Sequence, residues 1–149
     1  MGRWRNGRGT LIVEAGERGS GEAAGADAVA GPDAGSGLAV PLEIAASYRA
    51  RTRGLLGRDG IKGAILLSPA NNVHTFRMRF PIDVAYLDRK LRVIAVHTMR
   101  PGRLGTIRLR ARHVLEAEAG AMAGWGIRRG VRVAVQKPDG QGTGPEASG

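Results

Sequence analysis

Cysteine is absent from this chain of 149 residues, so disulfides, thiolate metal sites and cysteine nucleophiles are excluded together, and no oxidising compartment is required. The three histidines, His74, His97 and His113, are far apart and carry no partner at metal-motif spacing, so no metal site is expected. No apolar run approaches the length of a membrane span, and the start, Met1 to Arg8, leads into no signal-peptide core. The expected location is the cytoplasm. Aromatic residues are scarce, two each of Trp, Tyr and Phe, which argues against recognition by base stacking. Acids are scarce too. The net charge is +10, and between Leu38 and Lys137 there are 19 Lys and Arg against 6 Asp and Glu. Val13 to Gly37 is the reverse, with one Arg and five acids. The ordered part is therefore more basic than the average, and it raises encounter rates with anything anionic, whether nucleic acid, acidic protein or phosphorylated metabolite.

A chain of this size holds one domain with its own core. Residues 1–14 contain a β-branched run, Thr10 to Val13, that reads as an N-terminal strand. Residues 15–37, rich in Gly, Ala and acids, cannot bury enough apolar surface to offset their ordering entropy, and they read as a disordered insertion. Residues 138–149 read as a disordered tail of the same character. Residues 38–137 read as a single β-rich globular domain.

Within it, Leu38 to Ala45 alternates as an edge strand containing Pro41 would. Ser47 can cap a helix running to Arg58, with Tyr48, Thr52, Leu55 and Leu56 on one face. Gly63 to Pro69 reads as a buried strand and Val73 to Met78 as an extended segment. Ile82 to Leu87 and Leu91 to His97 flank the polar turn Asp88-Arg89-Lys90, a hairpin pattern. Thr106 to Arg112 alternates, which places Ile107, Leu109 and Ala111 inward and Arg108, Arg110 and Arg112 outward on a half-buried strand or extended loop. His113 to Ala117 is a strand, Gly120 to Gly126 a short helix carrying Met122 and Trp125, and Val131 to Val135 a closing strand. The expected fold is α+β and mainly β: a compact antiparallel sheet or small barrel-like domain with one clear and one short helix.

The motif order resembles domain-of-unknown-function family 192, small uncharacterised proteins of bacteria and archaea. The resemblance rests on Arg51 with Gly54-Leu55-Leu56, on Gly63 to Leu67, on Thr75-Phe76 with Met78, and on Pro81 to Asp88. It continues through Val114-Leu115-Glu116, Ala119-Gly120 and Gly126-Ile127, and so spans about two-thirds of the chain. It implies one compact β-rich domain, no established reaction and no cofactor. Two departures stand out: the family's closing Gly-Asp is here Gly130-Val131, and the exported-type leader of many members has no counterpart.

Asp83 shares a strand face with Ala85 and Leu87, which turns a carboxylate inward, where it needs partners; Arg51, Arg53 and Arg77 are the candidates. The functional reading is an ion pair at the floor of a ligand pocket, and the structural reading an ion pair or a cap. His74 and Thr75, with Arg77, form the rest of this edge. Glu116 and Glu118 alternate onto one strand face, but nothing beside them marks a nucleophile. Ser47 and Ser68 lack a hydrolase elbow. The arginine row Arg103, Arg108, Arg110 and Arg112 suits phosphates, or is a solvated basic face. The expectation is a non-enzymatic binding module in which His74, Thr75, Arg77 and Asp83, backed by Arg51, receive a polar or anionic small ligand or an acidic partner segment. The alternatives are sequence-independent nucleic-acid binding through the arginine row and an enzyme of unknown reaction.

Overall fold

The computed structural model describes residues 4–14, 37–47, 50, 55, 57–76 and 78–137. The expected disordered insertion, apart from Gly37, and the expected tail lie outside these residues.

Seven strands form one sheet: β1 (Gly7–Val13), β2 (Leu38–Ala45), β3 (Ala64–Leu67), β4 (Ile82–Leu87), β5 (Val93–Met99), β6 (His113–Glu118) and β7 (Val133–Gln136). Their order is β5-β4-β6-β3-β2-β1-β7, antiparallel throughout except for β2 beside β3. The sheet curls until its two ends meet at one corner. There Val93 donates to the Val131 carbonyl (2.8 Å), Gly130 to the Val93 carbonyl (2.9 Å) and Val133 to the Leu91 carbonyl (3.0 Å). The product is a half-barrel, in agreement with the mainly β, barrel-like domain that the sequence implies. The short helix is also present, as α1 (Ala121–Gly124), with Met122 buried.

Both sheet faces are covered, which is why β3 reads as an unbroken apolar run, β4 is apolar apart from Asp83, and both are buried at every position. Leu11, Leu42, Leu66, Leu87, Leu115 and Met122 fill the inside of the curl. Ile65, Met78, Phe80, Val84, Tyr86 and Val114 make a second core on the outer face.

The β4–β5 hairpin forms where the polar turn places it. Asp88 Oδ1 accepts from the N–H groups of Lys90 (2.8 Å) and Arg92 (3.0 Å), an Asx-type closure of the turn. Ser47 Oγ accepts from Ala50 N–H at 3.1 Å, the cap expected there. The helix expected beyond it lies largely outside the described residues.

Three expectations need correction. β2 is an interior strand rather than an edge. It tolerates Pro41 because its parallel pairing with β3 starts only at Leu42, and Gly63 (φ +93°) lets the chain pass the Pro41 carbonyl where a Cβ would collide. Val73 to Met78 contributes one bridge, His74 to Leu104, in place of a continuous extended run. Residues 106–112 are a loop whose apolar alternation is not obeyed. Ile107 and Leu109 face solvent, and Arg108 turns toward the sheet while Ala111 is buried. The loop is held by backbone bonds from Ala70 to the Arg112 carbonyl (2.9 Å), from Arg108 to that of Asn71 (2.9 Å) and from Gly105 to that of Val73 (2.7 Å). These rungs are irregular in register, so the two-residue period of a strand does not govern which side chains are buried.

Candidate functional site

The outer face of the β4–β5 hairpin bears a cavity of about 430 Å³, lined by Tyr86, His97, Thr98, Met99, Arg100, Arg103, Leu104, Gly105, Thr106 and Arg108. Three of these are arginines and none is an acid. From Arg89 to Leu115 the sequence holds eight Lys and Arg and no Asp or Glu, so the cavity's positive potential has no carboxylate in that stretch to cancel it.

Arg108 sits at the cavity wall. Its guanidinium carbon is 5.7 Å from the centre of the Tyr86 ring, within cation–π range. An Nη is 3.0 Å from His97 Nε2. Guanidinium has only donors, so His97 accepts at Nε2 and carries its ring proton on Nδ1. The His97 ring in turn meets the Tyr86 ring edge to face, with centroids 6.2 Å apart. Arg108 Nε is buried and, among the described residues, has no hydrogen-bond partner. An orphan donor on a cation costs more than a neutral one. Burial raises the Tyr86 phenol's pKa above its ordinary value, against the lowering effect of Arg108, so the phenol stays protonated and offers a donor.

The other two arginines are placed by Thr75. Its buried hydroxyl donates to the Arg100 carbonyl (2.6 Å) and accepts from Arg103 N–H (2.8 Å). Its backbone adds Thr75 N–H to the Arg103 carbonyl and Gly102 N–H to its own carbonyl, both at 2.7 Å. The clamped segment, Arg100-Pro101-Gly102-Arg103, has Gly102 at φ +81°, the left-handed value that the third residue of a type II turn takes. Gly105 lets this segment lie against the cavity floor. A Cβ there would stand 2.6 Å from Tyr86 Oη and 2.9 Å from the Val73 carbonyl, which is itself fixed by the Gly105 N–H. Gly105→Ala is therefore expected to lower stability by about 1–3 kcal/mol and to narrow the cavity, the loss being measured as a fall in Tm.

The residues singled out from sequence separate in space. Thr75 is the keystone of the arginine turn, and Arg103 and Arg108 line the cavity. His74 is exposed, stacked on Phe76 with ring centroids 5.2 Å apart, and paired by backbone to Leu104. Arg110 and Arg112 are exposed and do not line the cavity, and the Arg112 guanidinium folds back onto the Leu109 and Ala111 carbonyls. Arg51 and Arg77 lie outside the described residues. Asp83 does turn inward, on the face of β4 opposite Tyr86. Oδ1 accepts from Thr98 Oγ1 (2.7 Å), and Oδ2 accepts from the N–H groups of Gly120 (2.9 Å) and Met122 (3.1 Å), capping α1. Among the described residues no guanidinium pairs with it.

His97 and Arg100 were not singled out from sequence as site residues. The hairpin register pairs Tyr86 with Ala95 and Val84 with His97, so Tyr86 and His97 are diagonal neighbours on one face. That signal was present in the two strand runs.

Two further ionisable groups are buried elsewhere. Glu116 faces the outer core between Ile65 and Val84, and burial pushes its carboxyl pKa from 4.5 up to about 7. Glu118, two residues on, is exposed, so the two do not form a matched carboxylate pair. His113 Nδ1 lies 2.7 Å from Ser68 Oγ, with Trp4 edge-on at 5.8 Å. Burial lowers the His113 pKa most; nearby Asp88 raises it and Arg112 lowers it further. Ser68 is buried and lines no part of the cavity, so this pair is a polar link within the packing.

Fold and site together define a curled β-rich domain with a cationic cavity on the outside of one hairpin. The chain belongs to domain-of-unknown-function family 192 (DUF192, Uncharacterized ACR), whose model matches residues 31–135. It is 31% identical over 84 residues to a UPF0127 protein of Pyrococcus horikoshii, a match covering 53% of this chain and 73% of that protein. Two crystal structures share the fold at 16% identity. One is a Sinorhizobium meliloti 1021 protein provisionally described as a transcription regulator, with a TM-score of 0.65 over 90% of this chain and 98% of its own. The other is a protein of unknown function from Novosphingobium aromaticivorans, with a TM-score of 0.62 over 84% and 83%. Among the described residues no helix is long and apolar enough to cross a membrane.

Proposed function

We propose that the domain is a non-enzymatic binding module for a small anionic ligand, received in the cavity between Tyr86, His97 and Arg108. The observation that carries this reading is the buried Arg108 Nε left without a partner in an acid-free cavity whose other walls hold Arg100 and Arg103. The volume is within the range of small-molecule sites, and the lining mixes apolar walls with a few converging donors. Arg108 is braced by Tyr86 and His97, so little side-chain entropy remains to be lost when an anion arrives. In this reading Thr75 positions Arg100 and Arg103, His74 stands beside them through its bridge to Leu104, and Asp83 supports the hairpin from behind.

The experiment is an NMR titration of the Arg108 Nε–H and His97 ring signals with inorganic phosphate, pyrophosphate and citrate. Saturable shifts of both are expected with at least one probe. Arg108→Ala is expected to weaken that binding by roughly 10- to 100-fold, the value of a hydrogen bond to a charged group, while Arg110→Ala leaves it within twofold. Loss of binding in Arg110→Ala equal to that in Arg108→Ala, or no saturable shift with any probe, would refute the proposal.

A further inference from the structure

The loop that supplies the cavity's arginines has a second surface. Arg108 donates its N–H to Asn71 and Ala111 returns an N–H to the Arg108 carbonyl at 3.0 Å, so Leu109 and Arg110 form the tip of a tight turn. Leu109 is 83% exposed, Ile107 59% and Leu104 68%. Isolated exposed apolar residues are ordinary, but three within six positions on one short loop are not. Five arginines, Arg100, Arg103, Arg108, Arg110 and Arg112, share residues 100–112 with them, and no acid does.

We propose that this loop is a membrane-contact edge, in which Ile107 and Leu109 enter the headgroup–acyl boundary of an anionic bilayer while Arg103, Arg110 and Arg112 meet its phosphates. Exposed aliphatic tips ringed by cations match the two terms of interfacial binding, apolar burial and attraction to anionic lipid. The side chains stand out from a turn rather than line a groove, which suits a deformable surface. A second copy of the chain is a poor occupant, because two such loops would set arginine against arginine. Nucleic acid would use the charge but leave Leu109 and Ile107 in water. This inference goes beyond the ligand cavity, since neither Ile107 nor Leu109 lines it.

The test is vesicle flotation of the full chain with phosphatidylcholine alone and with phosphatidylcholine containing about 30 mol % phosphatidylglycerol, a surface on which basic residues gain. Association is expected only with the anionic vesicles and is expected to fall steeply with salt. The Ile107→Ser/Leu109→Ser variant is expected to lose at least about tenfold in vesicle affinity, from the apolar burial given up, with Tm and phosphate binding in the cavity unchanged. Arg108→Ala is expected to weaken phosphate binding by roughly 10- to 100-fold while retaining most flotation, so failure of the cavity reading and of this one are told apart. No flotation with anionic vesicles would overturn the proposal, as would equal flotation of the serine variant. Tighter binding to a short oligonucleotide than to vesicles, insensitive to the serine changes, would also overturn it and assign the loop to nucleic acid.

Discussion

Glu116→Gln is expected to stabilise the protein by up to about 3 kcal/mol above pH 7 and to leave it nearly unchanged near pH 4.5, the span set by a carboxyl raised from 4.5 to about 7. The sign follows from proton binding. Between those two values the folded state holds a proton on Glu116 that the unfolded chain has released, so stability is greatest below the unfolded value and declines as pH rises through the folded one. Above pH 7 the chain must either bury a charge among Ile65, Val84 and their neighbours or rearrange around it. Glutamine, uncharged at every pH, removes that term. Urea unfolding of both proteins at pH 5 and pH 8 measures it. A stability difference that stays constant between the two would mean that the carboxylate is ionised and paired in the folded domain.

Asp83→Ala is expected to lower stability by about 3 kcal/mol, because it strips an acceptor from two backbone donors and one hydroxyl at a buried position. Asp83→Asn is expected to cost only about 1 kcal/mol. The amide oxygen can still accept from Gly120 and Met122, and the amide nitrogen can donate to Thr98 Oγ1. The contrast separates the two roles open to this acid. A cap needs an acceptor and tolerates asparagine, whereas the floor of an ion pair needs the charge and loses as much with asparagine as with alanine. Equilibrium denaturation of both variants decides between them. Cavity binding of phosphate is expected to survive Asp83→Asn, since the carboxylate is on the far face of β4.

Local pattern was enough for much of the fold. The apolar run of β3, the strand of β4, the polar turn at Asp88 and the short helix around Met122 each appear where the sequence puts them, because strand alternation, turn chemistry and burial agree at those places. Asp83's inward direction was legible in the same way, from its spacing to Ala85 and Leu87. Its partners were not, since Gly120 and Met122 follow it by 37 and 39 residues and bond through backbone groups that have no sequence signature. The same limit applies to Thr75, whose hydroxyl serves a turn 25 residues away.

Composition and the β4–β5 run by themselves determined a cysteine-free, β-rich domain of net positive charge with an acid turned into the packing. Tertiary structure decided which cations meet. The 103–112 segment is fastened by irregular rungs to residues 70–76, so its alternation does not choose between inside and outside. Only that fastening turns Arg108 onto Tyr86 and His97 and leaves Ile107 and Leu109 to the solvent. A repeating pattern encodes sidedness only where regular pairing enforces it; elsewhere the long-range contacts assign each side chain its surroundings.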